Sequence, residues 1–79
     1  MHANRVYKTT QVAGGSSITV PAGVWCIRVV AQGADSFLQM PGDTGPGALC
    51  PNGVPEYFQV QATEEPKFSS TVNVAMLTR

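Results

Sequence analysis

The stretch that decides the fold is VWCIRVVAQ, residues 24 to 32. Successive side chains of an extended chain point to opposite sides. Trp25, Ile27 and Val29 therefore share one side, and Cys26, Arg28 and Val30 share the other. The first side reads as the floor of a core. The second carries a thiol and a charge, as expected of a strand that lies beside a partner. Pro21-Ala22-Gly23 ahead of it suits a turn, since proline presets φ and glycine tolerates positive φ. Gly33 to Asp35 end the run.

Working outward, every periodic segment has the strand period and none the helical one. RVYKTTQV (5 to 12) is rich in β-branched and aromatic residues. AGGSS (13 to 17) is a corner, and SITV (17 to 20) alternates with Ile18 and Val20 on one side. SFLQM (36 to 40) is a short strand. PGDTGPGALCPNG (41 to 53) is dense in Gly and Pro, so it reads as an exposed loop without a regular ladder. VPEYFQVQA (54 to 62) is a strand with Tyr57 and Phe58 facing opposite ways. TEEP is a turn, and KFSSTVNVAMLT (67 to 78) closes the chain as one or two strands. Val72, Val74 and Met76 alternate there with Asn73, Ala75 and Leu77, so the last strand is apolar on both sides and needs cover on both. Six or seven short strands at this spacing predict an all-β, antiparallel sandwich or barrel.

Seventy-nine residues make one domain, with residues 1–4 a flexible arm. A domain of this size buries only about 60% of the surface that its unfolded chain exposes, and such chains lean on a disulfide, a metal or a partner. Charged residues are 13% of the chain, five basic against five acidic, for a net charge of zero. Typical soluble domains carry about 25%, and a neutral, charge-poor surface favours association. The bases are scattered and balanced, which argues against nucleic acid as a partner. No apolar run approaches the roughly 20 residues that cross a bilayer. MHANRVYK has no hydrophobic signal core, which places synthesis and folding in a cytoplasm.

Few residues invite a chemical role. Asp43-Thr44-Gly45 spells the aspartic-protease triplet, but it is set between Pro41-Gly42 and Pro46-Gly47 where a rigid framework is needed, so Asp43 reads as a turn residue. Cys26 and Cys50 with His2 cannot close a four-ligand zinc site. A disulfide between the two cysteines would close a loop worth roughly 3.5 kcal/mol in the chain-entropy model. A cytoplasm favours two separate core thiols, though a released particle could oxidise later. Glu64 and Glu65, with Asp35 or Asp43, lack the evenly spaced oxygens of a calcium loop. Trp25, Tyr7 and Tyr57 have the flat rings that stack on sugars. Trp25 reads instead as core, and the two tyrosines as interface residues. No catalytic group, metal site or cofactor is expected.

Three segments, in order, resemble small β-rich virion proteins of tailed bacteriophages. NRVYKTTQVAGGSSITV (4 to 20) is similar to the opening in which a basic-Val-x-x-Thr-Thr strand leads through a Gly/Ser/Thr turn to an Ile-Thr-apolar strand. GVPEYFQVQ (53 to 61) looks like the Pro-Glu-Tyr-Phe strand of head-associated proteins. TVNVAMLT (71 to 78) is similar to their closing Val-Asn-Val strand. TEEPKFSS departs from the pattern, where a Pro-Gly turn and a more apolar strand are expected, as does the loop 41 to 53. The resemblance implies a jelly-roll-like β-sandwich that decorates or cements a capsid, found on the virion surface, with the major capsid protein as partner and a homo-oligomer, dimer or trimer, as the working form. Contact residues expected from exposure are His2, Asn4, Arg5, Tyr7, Leu49, Asn52 and Tyr57. The alternatives are a tail, fibre or head–tail component, and a carbohydrate- or receptor-binding module.

Overall fold

The computed structural model describes residues 4–79, so the proposed arm lies outside the described residues except for Asn4, which precedes the first strand. Seven strands follow one another: β1 (Arg5–Val12), β2 (Cys26–Ala31), β3 (Ser36–Gln39), β4 (Ala48–Cys50), β5 (Pro55–Gln59), β6 (Lys67–Phe68) and β7 (Val72–Thr78). They form two antiparallel sheets, one ordered β1-β7-β2-β5 and the other β4-β3-β6. Residues 17–20 are not a regular strand, but they run along the free side of β6. Ser17 bridges Lys67, and the Ile18 and Val20 amides donate to the Pro66 and Glu64 carbonyls at 3.1 and 2.9 Å. With that segment counted as the second of eight, the layers read 1-8-3-6 and 2-7-4-5. This is the order of a jelly roll, two interleaved Greek keys closed into a sandwich.

The core lies between the layers. Ile27 and Val29 of β2 face Met76 and Val74 of β7 across the ladder, and Ala31 faces Val72. Phe68, Val20, Leu38 and Cys50 close over them from the other layer and its flanking segments. Ser36, the buried polar residue here, exchanges two hydrogen bonds with the Ser70 backbone through its hydroxyl, both 3.1 Å, so it is not left unpaired. The accessible surface of 4741 Å² is close to the roughly 4,600 Å² expected for a compact monomer of this mass. The sandwich thus closes its core without a second copy.

Two expectations are corrected. Trp25 is not part of the core floor: Val24 and Ile27 both enter the main core, while Trp25 and Cys26 together join Ala75 and Leu77 on the other side of the sheet. The alternation slips by one residue where β2 begins, and a slip of one reverses the side on which a residue lies. The loop 41 to 53 does contain a ladder, since β4 pairs with β3 through Ser36–Cys50, Phe37–Leu49 and Leu38–Ala48. Gly47 makes that possible. Its φ is +88°, and a Cβ there would meet the Leu38 carbonyl oxygen at 2.5 Å. Of the two readings of the cysteines, the separate thiols hold and the disulfide does not: Cys26 and Cys50 are both free. Cys26 belongs to the outer cluster and Cys50 to the main core, so the sheet itself stands between them. A disulfide needs Cβ atoms about 3.8 Å apart.

Candidate binding face

The inner side of the β1-β7-β2-β5 sheet is covered by the second layer. Its outer side is not. Three cross-strand rows make up that outer face, and the pairing register gives them directly. The middle row runs Thr9, Ala75, Arg28, Tyr57. On one side of it lie Val6, Leu77, Cys26 and Gln59, and on the other Gln11, Asn73, Val30 and Pro55. Ala75, Leu77 and Cys26 are buried by side chains of the same chain, Trp25 above all. The Arg79 guanidinium stacks on the Trp25 ring, 4.6 Å from its centre. Arg28, Val30 and Asn73 are half-buried, and the margins are open, with Val6 62% and Tyr57 63% exposed.

The cover that the apolar outer side of β7 needs is therefore mostly internal, although two donors under it find no acceptor. Among the described residues, the buried side-chain polar atoms without a hydrogen-bond partner are Trp25 Nε1 and Arg28 Nε.

The sequence-predicted contact residues do not form one patch. His2 lies outside the described residues. Asn4, Arg5 and Tyr7 are exposed on or beside β1. Tyr7 stands at the irregularity between Val6 and Lys8 and has no cross-strand partner. Tyr57 is on β5, the opposite edge of the sheet. Leu49 is 48% exposed, on β4 of the other layer. Asn52 is exposed, but its Oδ1 accepts from the Gly33 amide at 2.9 Å while its own amide donates to Asp35 at 2.8 Å, so part of its bonding capacity holds the two loops together. What sequence reasoning missed is the pairing of Trp25 with Arg28 on one face. The alternation already placed Arg28 outward; the slip that puts Trp25 beside it carries no sequence signal.

The remaining polar groups hold turns. Asp43 Oδ1 accepts from the Gly45 amide at 2.8 Å, and the Gln39 amide group donates to the Asp43 and Gly45 carbonyls at 3.0 and 2.8 Å. Glu64 accepts from the Gln61 amide at 2.7 Å and Glu65 from the Thr19 hydroxyl at 3.3 Å. Asp43 and Glu65, with Lys67, line an open cleft of about 240 Å³ on the other layer. No group of three or more His, Cys, Asp or Glu stands together among the described residues. Burial pushes both thiols above their ordinary value. The charge of Glu56 adds to the effect at Cys50, and a backbone hydrogen bond opposes it in each.

No family model matches this chain, and no curated protein or solved structure matches it significantly. No helix of the described residues is long and apolar enough to cross a membrane.

Proposed function

We propose that this chain is a structural subunit of a tailed-phage virion that decorates and cements the capsid. The observation that carries this reading is a small sandwich with a complete inner core and broad outer sheet faces that no further layer covers, at zero net charge. Such a module has a surface to offer and little else. The sequence resemblance gives the class of assembly to which that surface would be offered. The action is adhesive. A subunit that binds the assembled shell and not its separated parts stabilises the shell by mass action, by about 2.7 kcal/mol per site at a free concentration of a hundred times Kd.

The sugar-binding alternative has less support. Tyr7 and Tyr57 stand on opposite edges of a four-stranded sheet, about 14 Å apart at ordinary strand spacing. They do not make one stacking platform, and Trp25 is capped by Arg79.

The test is cosedimentation of the purified chain with expanded shells assembled from the major capsid protein encoded alongside it. Saturable binding and a higher shell rupture temperature are expected. Absence of binding at tens of micromolar would refute the reading. Electron cryomicroscopy of whole particles would show whether the chain sits on the head or on the tail.

A further inference from the structure

The outer edges of the two layers are not alike. β4 ends its layer with three residues. Segment 17–20, at the other end of that layer, is a broken ladder that stops at Pro21. β5 begins at Pro55, which has no amide to give, and carries Glu56. β1 has eight residues and no proline. An open strand edge is a template for another strand, and proteins blunt it with shortness, prolines, charges and bulges. β1 has such devices only in its first half: Arg5, Lys8 and the irregularity between Val6 and Lys8. Thr9 to Val12 have none.

The register gives the direction of the backbone groups. Along an antiparallel strand, residues alternately bond to the neighbour and turn their amide and carbonyl away from it. The Gln32 amide donates to the Thr71 carbonyl at 3.0 Å, one step beyond the Ala31–Val72 pair. Asn73, Ala75 and Leu77 therefore bond to β2. Val72, Val74 and Met76 bond to β1, opposite Val12, Thr10 and Lys8. The amides and carbonyls of Thr9 and Gln11 are left pointing off the sheet. By the same count from the Val60 amide, which donates to the Trp25 carbonyl at 2.9 Å, Tyr57 turns its amide outward on the β5 edge.

We infer that β1 pairs with β1 of a second copy, antiparallel, about a two-fold axis at Thr10. The regular part of the strand is Lys8–Val12, and Thr10 is its middle. An axis there sets Thr9 opposite Gln11 of the second copy, so the outward groups meet each other, with two bonds per pair and about four in all. Thr10 meets its own mate, a favourable Thr–Thr pair. Lys8 meets Val12, so no like charges are opposed, and the net charge of zero adds no repulsion between copies. Neighbouring registers fit less well. An axis at Thr9 brings in the irregular Tyr7, and one at Gln11 brings in Ala13, whose carbonyl already accepts from the Ser16 amide at 3.1 Å. The product is one eight-stranded sheet with a continuous outer face, made from two copies of the β1-β7-β2-β5 sheet. The contact is about 17 Å long at about 3.3 Å per residue, narrower than a standard stable interface, so the pairing is reversible.

Sedimentation of the parent chain between micromolar and millimolar concentrations is expected to show a monomer–dimer equilibrium. Thr9→Pro and Gln11→Pro each remove an outward amide, as an edge strand tolerates. Both are expected to weaken the dimer at least tenfold, with melting temperatures within a few degrees of the parent chain. Thr10→Pro, one position along, removes a bond to β7 and is expected to melt far lower. Amide exchange of the parent chain gives a readout that needs no variant: Thr9 and Gln11 are expected to gain protection as concentration rises, and Tyr57 is not. A chain that stays monomeric at millimolar concentration overturns the inference. So does a dimer in which Thr9 and Gln11 exchange as fast as in the monomer, or one that both proline variants form equally well. The inference does not depend on the virion role, which stands or falls by shell binding of the parent chain.

Discussion

The two faces of the four-stranded sheet are built from the same strands, often from adjacent residues, and differ in almost everything else. On the inner face Ile27, Val29, Val72 and Val74 are fully buried, and charged residues stand only on the edge strands β1 and β5. On the outer face Arg28 and Val30, their immediate neighbours, are half-buried, and two donors lack partners. The inner face is finished and the outer one is not. A domain of this size can complete one hydrophobic layer from its own residues. On the second side it reaches only a cluster of Trp25, Cys26, Ala75 and Leu77.

The difference is sharpest under truncation. Ile27→Ala is expected to cost about 2–5 kcal/mol, the range for emptying a well-packed core site, whereas Val30→Ala, one face over, stays within about 1 kcal/mol. Urea midpoints of the two variants measure this directly. Equal losses would mean that the outer face is as tightly packed as the inner. Gly47→Ala comes next, at roughly 2–3 kcal/mol. It combines a left-handed backbone that costs about 1–2 kcal/mol for an L residue with an encounter at 2.5 Å with the Leu38 carbonyl. Thermal melts would show it, and near-parent stability would mean that β4 can detach without consequence for the inner core.

The two cysteines extend the comparison, one to each side. Cys50→Ser in the main core is expected to cost about 1–3 kcal/mol, the penalty for an unpaired buried hydroxyl, and Cys26→Ser less, since the outer cluster lies closer to solvent. Both thiols should react with a thiol reagent only on unfolding, and oxidation should not join them within one chain. Their raised pKa gives a pH signature. The unfolded thiols ionise from an ordinary value of 9.0 while the folded ones keep their protons to higher pH. The unfolded state then binds fewer protons, and stability, fully present below pH 9, declines as pH rises above it. Urea midpoints at pH 8 and pH 10 test this, and Cys50→Ala should flatten the decline. The smallest effect is expected at Thr63, a β-branched residue held at φ 72°. Thr63→Asn, which tolerates that region, should gain about 0.5–1 kcal/mol.

Much of the fold was legible because burial imposes a period. β1 spans the residues that its β-branched run predicts, and Tyr57 and Phe58 face apart as the alternation requires. The two-sided apolar character of β7 called for cover on both faces, and both have it, from the main core on one side and from Trp25 and its neighbours on the other. Legibility failed where tertiary contacts rather than period set the geometry. β4 is three residues long in a Gly/Pro-rich loop, and it exists because Gly47 lets the chain pass against β3. Segment 17–20 alternates like a strand yet forms only a broken ladder beside β6. The candidate face was half visible. Arg28 was placed outward by its neighbours, but Trp25 joins it through a one-residue slip, and no residue type in VWC announces that slip. The exposed residues Tyr7, Leu49 and Tyr57 were read correctly as exposed, but one-dimensional reading could not tell that three different edges carry them.

The strand order has a kinetic meaning. β7, whose last residue is Thr78, lies between β1 and β2 and is hydrogen-bonded to both. Until residues 72–78 are made, β1 has no partner in the sheet and β2 has only β5. Before β7 the larger sheet can thus grow no further than the β2–β5 pair, and its completion waits on distant pairings of the kind that typically take milliseconds to seconds. A nascent chain halted before residue 72 would present two unzipped β edges, the kind of intermediate that chaperones hold and that otherwise clumps.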